Sequence, residues 1–191
     1  MARKAKHSAS RSKKAAKRRA PARKAPVRKA AKRGAAASIP AGFRSVTPYL
    51  VVRNTAQAIE FYKKALGAIE RRRLPSPDGI RVMHAEIQIG DSIIMMSDEF
   101  PEYDTGAHAP EVLGGTTGSI HLYADDVDAL FERAVAAGMT VMMPLADAFW
   151  GDRFGKLKDP FGHQWSLGKQ LRKMTTEQIA EAARAAFAPK V

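Results

Sequence analysis

Cysteine is absent from this chain of 191 residues. The chain therefore has no disulfide bond, no thiolate zinc site and no cysteine nucleophile. No apolar run approaches the length of about 18 residues that crosses a bilayer, and the basic N-terminus lacks the apolar core of a secretory signal. We therefore expect a cytoplasmic protein with no membrane contact.

Acidic and aromatic residues are missing from residues 1–38, which instead contain fifteen of the 32 Lys and Arg residues. The rest of the chain has 17 basic and 19 acidic residues, so the net charge of +13 belongs to this segment. A segment this poor in apolar side chains cannot offset its loss of chain entropy, and we expect a disordered tail.

The tail has the composition of a polycation that binds nucleic-acid phosphates without reading sequence. The candidate contact residues are Arg3, Lys4, Lys6, Lys13, Lys14, Arg18 and Arg19. Two alternatives stay open: a solvated tail with no dedicated partner, and an organelle presequence, which is also poor in acidic residues.

The remaining chain repeats one order of elements with a period of about 70 residues. Residues 46–52 have the pattern of a strand, Asn54 can cap a helix that ends at Gly67, and two strands joined by Gly90-Asp91 follow. In the second half, a strand at 119–124 precedes a helix capped by Asp125 or Asp126 and ended by Gly138. A strand at 139–144 and a hairpin at 149–167 complete it.

The hairpin at 149–167 carries the features that suit a small organic ligand: aromatic rings, an Arg and an amide-rich loop. Asp159-Pro160-Phe161-Gly162 between its strands has the sequence of a β-turn. Trp165 fits two interpretations, a core side chain or a ring in the ligand site.

The predicted organisation has three parts: a tail at 1–38, a domain at 39–170 with modules at about 44–97 and 119–168, and a helical segment at 171–191. Residues 98–118 are either a linker between the modules or a lid over a site. In the last segment, Thr175 and Gln178 form a capping box for a helix that docks on the body or on a second subunit.

Four motifs resemble the glyoxalase/bleomycin-resistance, or vicinal-oxygen-chelate, superfamily. They are Thr47-Pro48-Tyr49-Leu50-Val51-Val52, Ala58-Ile59-Glu60-Phe61-Tyr62, Ile89-Gly90-Asp91-Ser92 and Asp159-Pro160-Phe161-Gly162-His163. The run from Phe149 to Arg153, with Trp165 after it, resembles the branch of phosphonate-operon-B-like and demethylubiquinone-methyltransferase-like proteins. The resemblance implies an α+β fold of paired βαβββ modules around a cavity.

The resemblance also implies where a divalent metal would be held in metal-dependent members. The corresponding positions are Thr47, Met95, Ser119 and Ser166. None is a His or Glu, and hydroxyl and thioether groups are poor ligands for such metals. We therefore expect no tightly held metal or other cofactor.

The leading hypothesis is a homodimer that binds a small amphipathic or anionic molecule in the cavity, as in sequestration of a toxic compound. The candidate ligand-binding residues are Tyr49, His84, Glu86, Ser119, His121, Phe149, Trp150, Arg153, Phe154 and Trp165. One alternative is a metal-dependent lyase, isomerase or dioxygenase with an atypical site at His84, Glu86 and His121. The other is a nucleic-acid-associated protein that acts through residues 1–38.

Overall fold

The computed structural model describes residues 39–103 and 106–188, so the predicted tail lies outside the described part of the chain. The described residues form eight strands and four α-helices. In chain order these are β1 (Tyr49–Val52), α1 (Thr55–Leu66), β2 (Ile69–Pro75), β3 (Val82–Ile89), β4 (Ser92–Asp98), α2 (Pro110–Leu113), β5 (Ser119–Tyr123), α3 (Val127–Ala137), β6 (Thr140–Asp147), β7 (Asp152–Lys158), β8 (Gln164–Gln170) and α4 (Thr176–Ala186).

The strands form two sheets with the same topology. Sheet 1 has the order β1-β4-β3-β2 and sheet 2 the order β5-β8-β7-β6. The first strand of each module lies parallel to the last, and the other neighbours are antiparallel. The predicted α+β fold with two βαβββ modules is confirmed.

The helix boundaries follow the capping residues of the sequence. Asn54 Oδ1 accepts the backbone N–H of Gln57 at 3.0 Å, and α1 ends at Gly67 with a φ of 68°. Asp126, rather than Asp125, caps α3 through the N–H of Ala129 at 3.1 Å. A residue with a Cβ is disfavoured at the positive φ of Gly67, so the sequence fixes the end of α1 there.

Each main helix covers one face of its own sheet and leaves the other face uncovered. On the helix side of sheet 2, Leu157, Trp165 and Leu167 are fully buried. On the helix side of sheet 1, Ala85 and Ile87 are buried beneath Ile59 and other residues of α1. We call the face turned away from the helices the open face of each sheet.

Strand β2 is absent from the pattern-based prediction. Its central residues Arg71, Arg72 and Arg73 are exposed and do not alternate with apolar residues, because β2 is the edge strand of sheet 1. Strand β6, the edge of sheet 2, likewise extends to Asp147, beyond the predicted strand at 139–144.

The connection between the modules holds a 3₁₀ turn at Pro101–Tyr103 and the single-turn helix α2. His108 Nδ1 lies 2.8 Å from Glu99 Oε1. Beyond sheet 2, α4 begins with the predicted capping box of Thr175 and Gln178, and none of its residues is buried. In the described part of the chain, every helix is too short or too polar to cross a membrane.

Candidate functional site

The open face of sheet 2 brings a hydroxyl, an imidazole and an ammonium group side by side. Ser166 of β8 lies in register between His121 of β5 and Lys156 of β7. Successive strand residues point to opposite faces, so Phe154 and Tyr123 lie on the same face as these three residues. Local strand alternation therefore decides which side chains belong to the site.

His121 is held in one orientation by its neighbours. Its Nδ1 lies 2.8 Å from Ser166 Oγ, and its ring packs edge-on against Tyr123 with centroids 4.4 Å apart. Gly168 leaves room for the ring, since an added Cβ would stand 3.0 Å from Cε1 and 3.1 Å from Nε2 of His121. The absence of a side chain at Gly168 is thus a requirement of this geometry.

Burial lowers the pKa of His121 below its ordinary value, and the nearby carboxyl of Asp152 opposes that shift. The imidazole is therefore neutral at neutral pH and can either accept or donate a hydrogen bond. Asp152 itself accepts weakly from Tyr123 OH at 3.5 Å. The site accordingly offers an uncharged imidazole next to a cationic lysine.

A row of aromatic rings extends from His121 to the C-terminal helix. Phe154 stacks on His121 at 6.0 Å between centroids, and Trp150 meets Phe154 at 5.3 Å. Phe149 follows Trp150 at 5.0 Å and reaches Phe187, just after α4, at 5.6 Å. Phe149, Trp150 and Phe154 are half-buried and form an apolar wall beside the polar group of His121, Ser166 and Lys156.

Sheet 1 carries a second polar cluster on its open face. His84 Nε2 lies 3.2 Å from Glu86 Oε1, and the ring of Tyr49 is 6.0 Å from that of His84. Arg72 of the edge strand approaches Glu86 at 3.7 Å. A cavity of ≈320 Å³ lies nearby, between Tyr49 and the aromatic side chains of Phe100 and Tyr103 in the inter-module connection.

A second cavity, of ≈460 Å³, lies where strands β1 and β5 come together. Tyr49 lines it from sheet 1, and Ser119, His121 and Gln164 line it from sheet 2. His163 also lines this cavity, and its Nε2 lies 3.2 Å from the carbonyl oxygen of Val51. Tyr49, Ser119 and His121, all predicted from the sequence, therefore meet at one cavity.

Two predicted ligand residues lie elsewhere. Arg153 alternates with Phe154 and points to the opposite face, where Asp128 and Asp147 hold its guanidinium at 2.6 Å and 3.0 Å and raise its pKa. Trp165 is fully buried on the helix side, with Nε1 donating to Asp159 at 2.8 Å. For Trp165 the core interpretation holds, and neither side chain faces the open side of sheet 2.

Lys156 is the residue that the sequence interpretation missed. It is half-buried, faces the same side as His121 and makes no ion pair with any described residue. The signal was present in the sequence, because Lys156 is two residues after Phe154 and so shares its face in a strand. Arg153, at an odd spacing from Phe154, cannot share that face in a regular strand.

The metal positions of the superfamily do not offer a fitting donor set. Thr47 Oγ1 donates to the carbonyl of Arg44 at 3.2 Å, and Ser166 Oγ is engaged with His121. Met95 and Ser119 supply a thioether and one further hydroxyl, which bind divalent cations poorly.

The atypical set of His84, Glu86 and His121 is not brought together either. His84 and Glu86 contact each other on sheet 1, whereas His121 is bonded to Ser166 on sheet 2. Across residues 39–103 and 106–188, no three His, Asp or Glu side chains are grouped closely enough to hold a metal ion.

Comparison with known proteins yields both a family and individual relatives. The model of the glyoxalase/bleomycin resistance protein/dioxygenase superfamily matches residues 43–167. An uncharacterized protein from Mycobacterium bovis is 45% identical over 139 residues, which cover 72% of this chain and 91% of that protein. The YjdN protein of Escherichia coli is 28% identical over 142 residues, covering 64% of this chain and 92% of YjdN.

Solved structures repeat the fold. TioX from Micromonospora matches with a TM-score of 0.54 and 25% identity, covering 66% of this chain and 98% of TioX. A protein from Pseudomonas aeruginosa matches with a TM-score of 0.52 and 31% identity, covering 65% of this chain and 96% of that one. In both cases the match accounts for almost the whole of the other protein.

Proposed function

Because the chain belongs to the glyoxalase/bleomycin resistance protein/dioxygenase superfamily, we propose that it binds a small amphipathic anion on the open face of sheet 2. It does so without a tightly held divalent metal. The observation that carries this proposal is the alignment of Lys156, Ser166 and His121 beside the rings of Phe154 and Trp150. The role is sequestration of the bound molecule.

Each group has a separate task in binding. The ammonium group of Lys156 pairs with a carboxylate, phosphate or phosphonate, the role that the sequence interpretation gave to Arg153. His121 and Ser119 line the adjoining cavity and fix the orientation of polar groups by hydrogen bonds. Phe154 and Trp150 cover the apolar body of the ligand, which supplies most of the favourable free energy.

A homodimer is part of this proposal. Val141, Met142 and Met143 of edge strand β6 are consecutive and exposed, and Tyr123 and Phe187 are exposed at other positions. Clustered exposed apolar side chains favour association, and a second copy is the partner present at the same concentration. Native mass spectrometry of the full chain should give twice the monomer mass. A monomer at micromolar concentration would contradict this part of the proposal.

A second candidate function rests on the charge of residues 1–38. This segment contains fifteen Lys and Arg residues and no Asp or Glu. We propose that this tail adheres to nucleic-acid backbones without sequence preference. We call the ligand site on the open face of sheet 2 the pocket. In this proposal, nucleic-acid binding by the tail does not depend on ligand binding in the pocket. The alternative as an enzyme with a site at His84, Glu86 and His121 has no comparable support in the geometry.

The test of the pocket uses the two tryptophans. Phenylphosphonate, benzoate and related aromatic anions are titrated while Trp fluorescence and calorimetric heat are recorded. Because Trp150 is half-buried in the aromatic wall and Trp165 is fully buried, Trp150→Phe should remove the fluorescence response and leave the heat of binding. Lys156→Met should weaken binding roughly tenfold or more, the loss expected for one charge-assisted contact.

The matched control is Lys64→Met, which removes an exposed lysine from α1. It should bind like the unmodified protein. Equal affinity of the Lys156 and Lys64 variants for every anion that binds would refute the assignment of the site. Metal analysis showing one tightly held divalent ion per chain would refute the metal-free part.

A further inference from the structure

A crevice of ≈780 Å³ lies on the helix side of the molecule, between α3 and the turn that joins β3 to β4. Residues of both modules line it, among them Leu66, Ile89, Leu122, Ala129, Arg133 and Lys169. The site residues His121, Phe154 and Lys156 do not line it. Tyr123, whose ring packs edge-on against His121, does line it, so the two concavities adjoin at this residue. Their cationic groups differ, with Arg133 in the crevice and Lys156 in the proposed pocket.

The equivalent place on the other module is filled by protein. There the turn between β7 and β8 packs against α1, with the ring of Phe161 5.7 Å from Phe61 and 6.0 Å from Tyr62. Asp159 of the same turn accepts from Tyr62 OH at 2.7 Å. Phe161 is 7% exposed, so its ring fills the place that is open beside α3.

Two sequence differences leave the crevice open. The β3–β4 turn has only two residues, Gly90 and Asp91, whereas the β7–β8 turn has five. Counting from the N-caps of the two helices, Phe61 and Tyr62 of α1 correspond to Arg133 and Ala134 of α3. A short turn and the loss of two rings thus create space over an apolar floor that includes buried Leu66, Ile89 and Leu130.

Charges at the two ends of the crevice have opposite sign. Arg133 donates from Nε to the carbonyl of Ala65 at 3.1 Å and makes no ion pair with a described residue. Asp125 and Asp126 stand at the start of α3, about 10 Å from Arg133 along the helix axis at 1.5 Å per residue. Lys169 lies near this acidic end: the pKa of Asp128 is lowered chiefly by its hydrogen bond with Arg153 and further by the charge of Lys169.

We propose that this crevice is a second ligand site, for an amphipathic monocarboxylate. The carboxylate pairs with the guanidinium of Arg133, whose donors beyond Nε suit a bidentate contact. The aliphatic chain lies on Leu66, Ile89 and Leu130 and points toward the N-terminus of α3. Asp125 and Asp126 outnumber Lys169 at that end, so a second carboxylate is disfavoured there and the ligand binds in one direction.

Calorimetry with three ligands of equal chain length tests both the site and the direction. Octanoate should bind saturably to the full chain. Octanedioate should bind at least several-fold more weakly, because its second carboxylate meets Asp125 and Asp126. The zwitterion ω-aminooctanoate should bind at least as well as octanoate, because its ammonium group meets the same aspartates.

Single substitutions test whether octanoate binds in the crevice. Arg133→Met should weaken octanoate about tenfold or more, and Ala129→Phe should block the crevice floor. Arg184→Met, which removes an exposed arginine from α4, is the matched control and should leave octanoate affinity unchanged. In the Lys156→Met protein, octanoate should still shift the amide signals of Gly90 and Ala129, which separates this site from the pocket on sheet 2.

A second measurement covers the case in which a variant is destabilised. In amide NMR spectra of the unmodified protein, octanoate should shift Gly90 and Ala129 more than His121. The proposal is overturned if octanoate gives no saturable binding, or if octanedioate binds more tightly than octanoate. It is equally overturned if folded Arg133→Met and Ala129→Phe proteins keep full affinity. None of these results would bear on the aromatic anions at Lys156.

Discussion

Replacing Asp159 by alanine should lower the free energy of unfolding by about 4 kcal/mol. This side chain is 3% exposed and serves as acceptor for four donors. Oδ2 accepts from Tyr62 OH at 2.7 Å and from Trp165 Nε1 at 2.8 Å. Oδ1 accepts the backbone N–H groups of Phe161 and His163, both at 2.9 Å.

The size of the expected loss follows from the four donors that Asp159→Ala leaves without an acceptor. Each buried donor without an acceptor costs about 1–3 kcal/mol, and losses within one network are not additive. Non-additivity places each of the four donors at the lower end of that range, which sets the total at about 4 kcal/mol. For a chain of this size, 1 kcal/mol corresponds to about 2–4 °C, so Tm should fall by about 8–16 °C.

Asparagine at this position should cost less, about 2 kcal/mol, because its amide retains one carbonyl acceptor. Tyr62→Phe removes a single donor and should cost about 1 kcal/mol. As a control, Asp91→Ala removes an exposed aspartate whose contact with Arg44 is solvent-screened, and should leave the midpoint of unfolding unchanged.

The assay is urea unfolding followed by far-UV circular dichroism, since Asp159 touches Trp165 and would alter its fluorescence directly. The midpoint and slope together give the change in free energy of unfolding. A loss below about 1 kcal/mol for Asp159→Ala would refute the argument that this carboxyl joins the β7–β8 turn to α1. So would an asparagine variant as stable as the unmodified protein.

Further predictions concern the site and the tail. Gly168→Ala should displace the ring of His121, shift its NMR signals and weaken binding of aromatic anions several-fold, and unshifted ring signals would contradict the contact. His121 has a lowered pKa in the folded chain, so the unfolded chain binds more protons and stability should fall as pH drops below about 6.5. His121→Asn should flatten that slope in urea unfolding between about pH 7 and about pH 5, and an unchanged slope would exclude His121 as its source. Deleting residues 1–38 should abolish duplex DNA binding that weakens steeply with salt, and binding that survives the deletion would refute the role of the tail.

The helices and turns were predictable because single residues decide them locally. Asn54 and Gly67 bound α1, and the turn at Asp159–Gly162 forms with Gly162 N–H donating to Asp159 O at 3.1 Å. Caps and turns depend on one side chain and its neighbours along the chain, so they need no knowledge of the tertiary structure. The repeated module pattern followed from the same local signals.

Strand β2 and the roles of Arg153 and Trp165 were not predictable on the same basis. An edge strand rich in arginine lacks the alternation that identifies a half-buried strand. For Arg153, strand alternation gives the face opposite Phe154, but its partner Asp128 on α3 is a tertiary contact. For Trp165, the deciding partner is Asp159, which accepts its Nε1–H and also fixes the turn before it.

The loop that carries Trp150 is joined to the segment leading into α4. Gly151 O accepts the N–H groups of both Leu171 and Arg172, and an added Cβ at Gly151 would lie 2.7 Å from Arg172 O. Any shift of this loop on occupancy of the pocket would consequently be transmitted toward the C-terminal end of the chain. A fluorophore attached near α4 would thus act as a remote reporter of occupancy, whereas a bulky C-terminal fusion would perturb affinity.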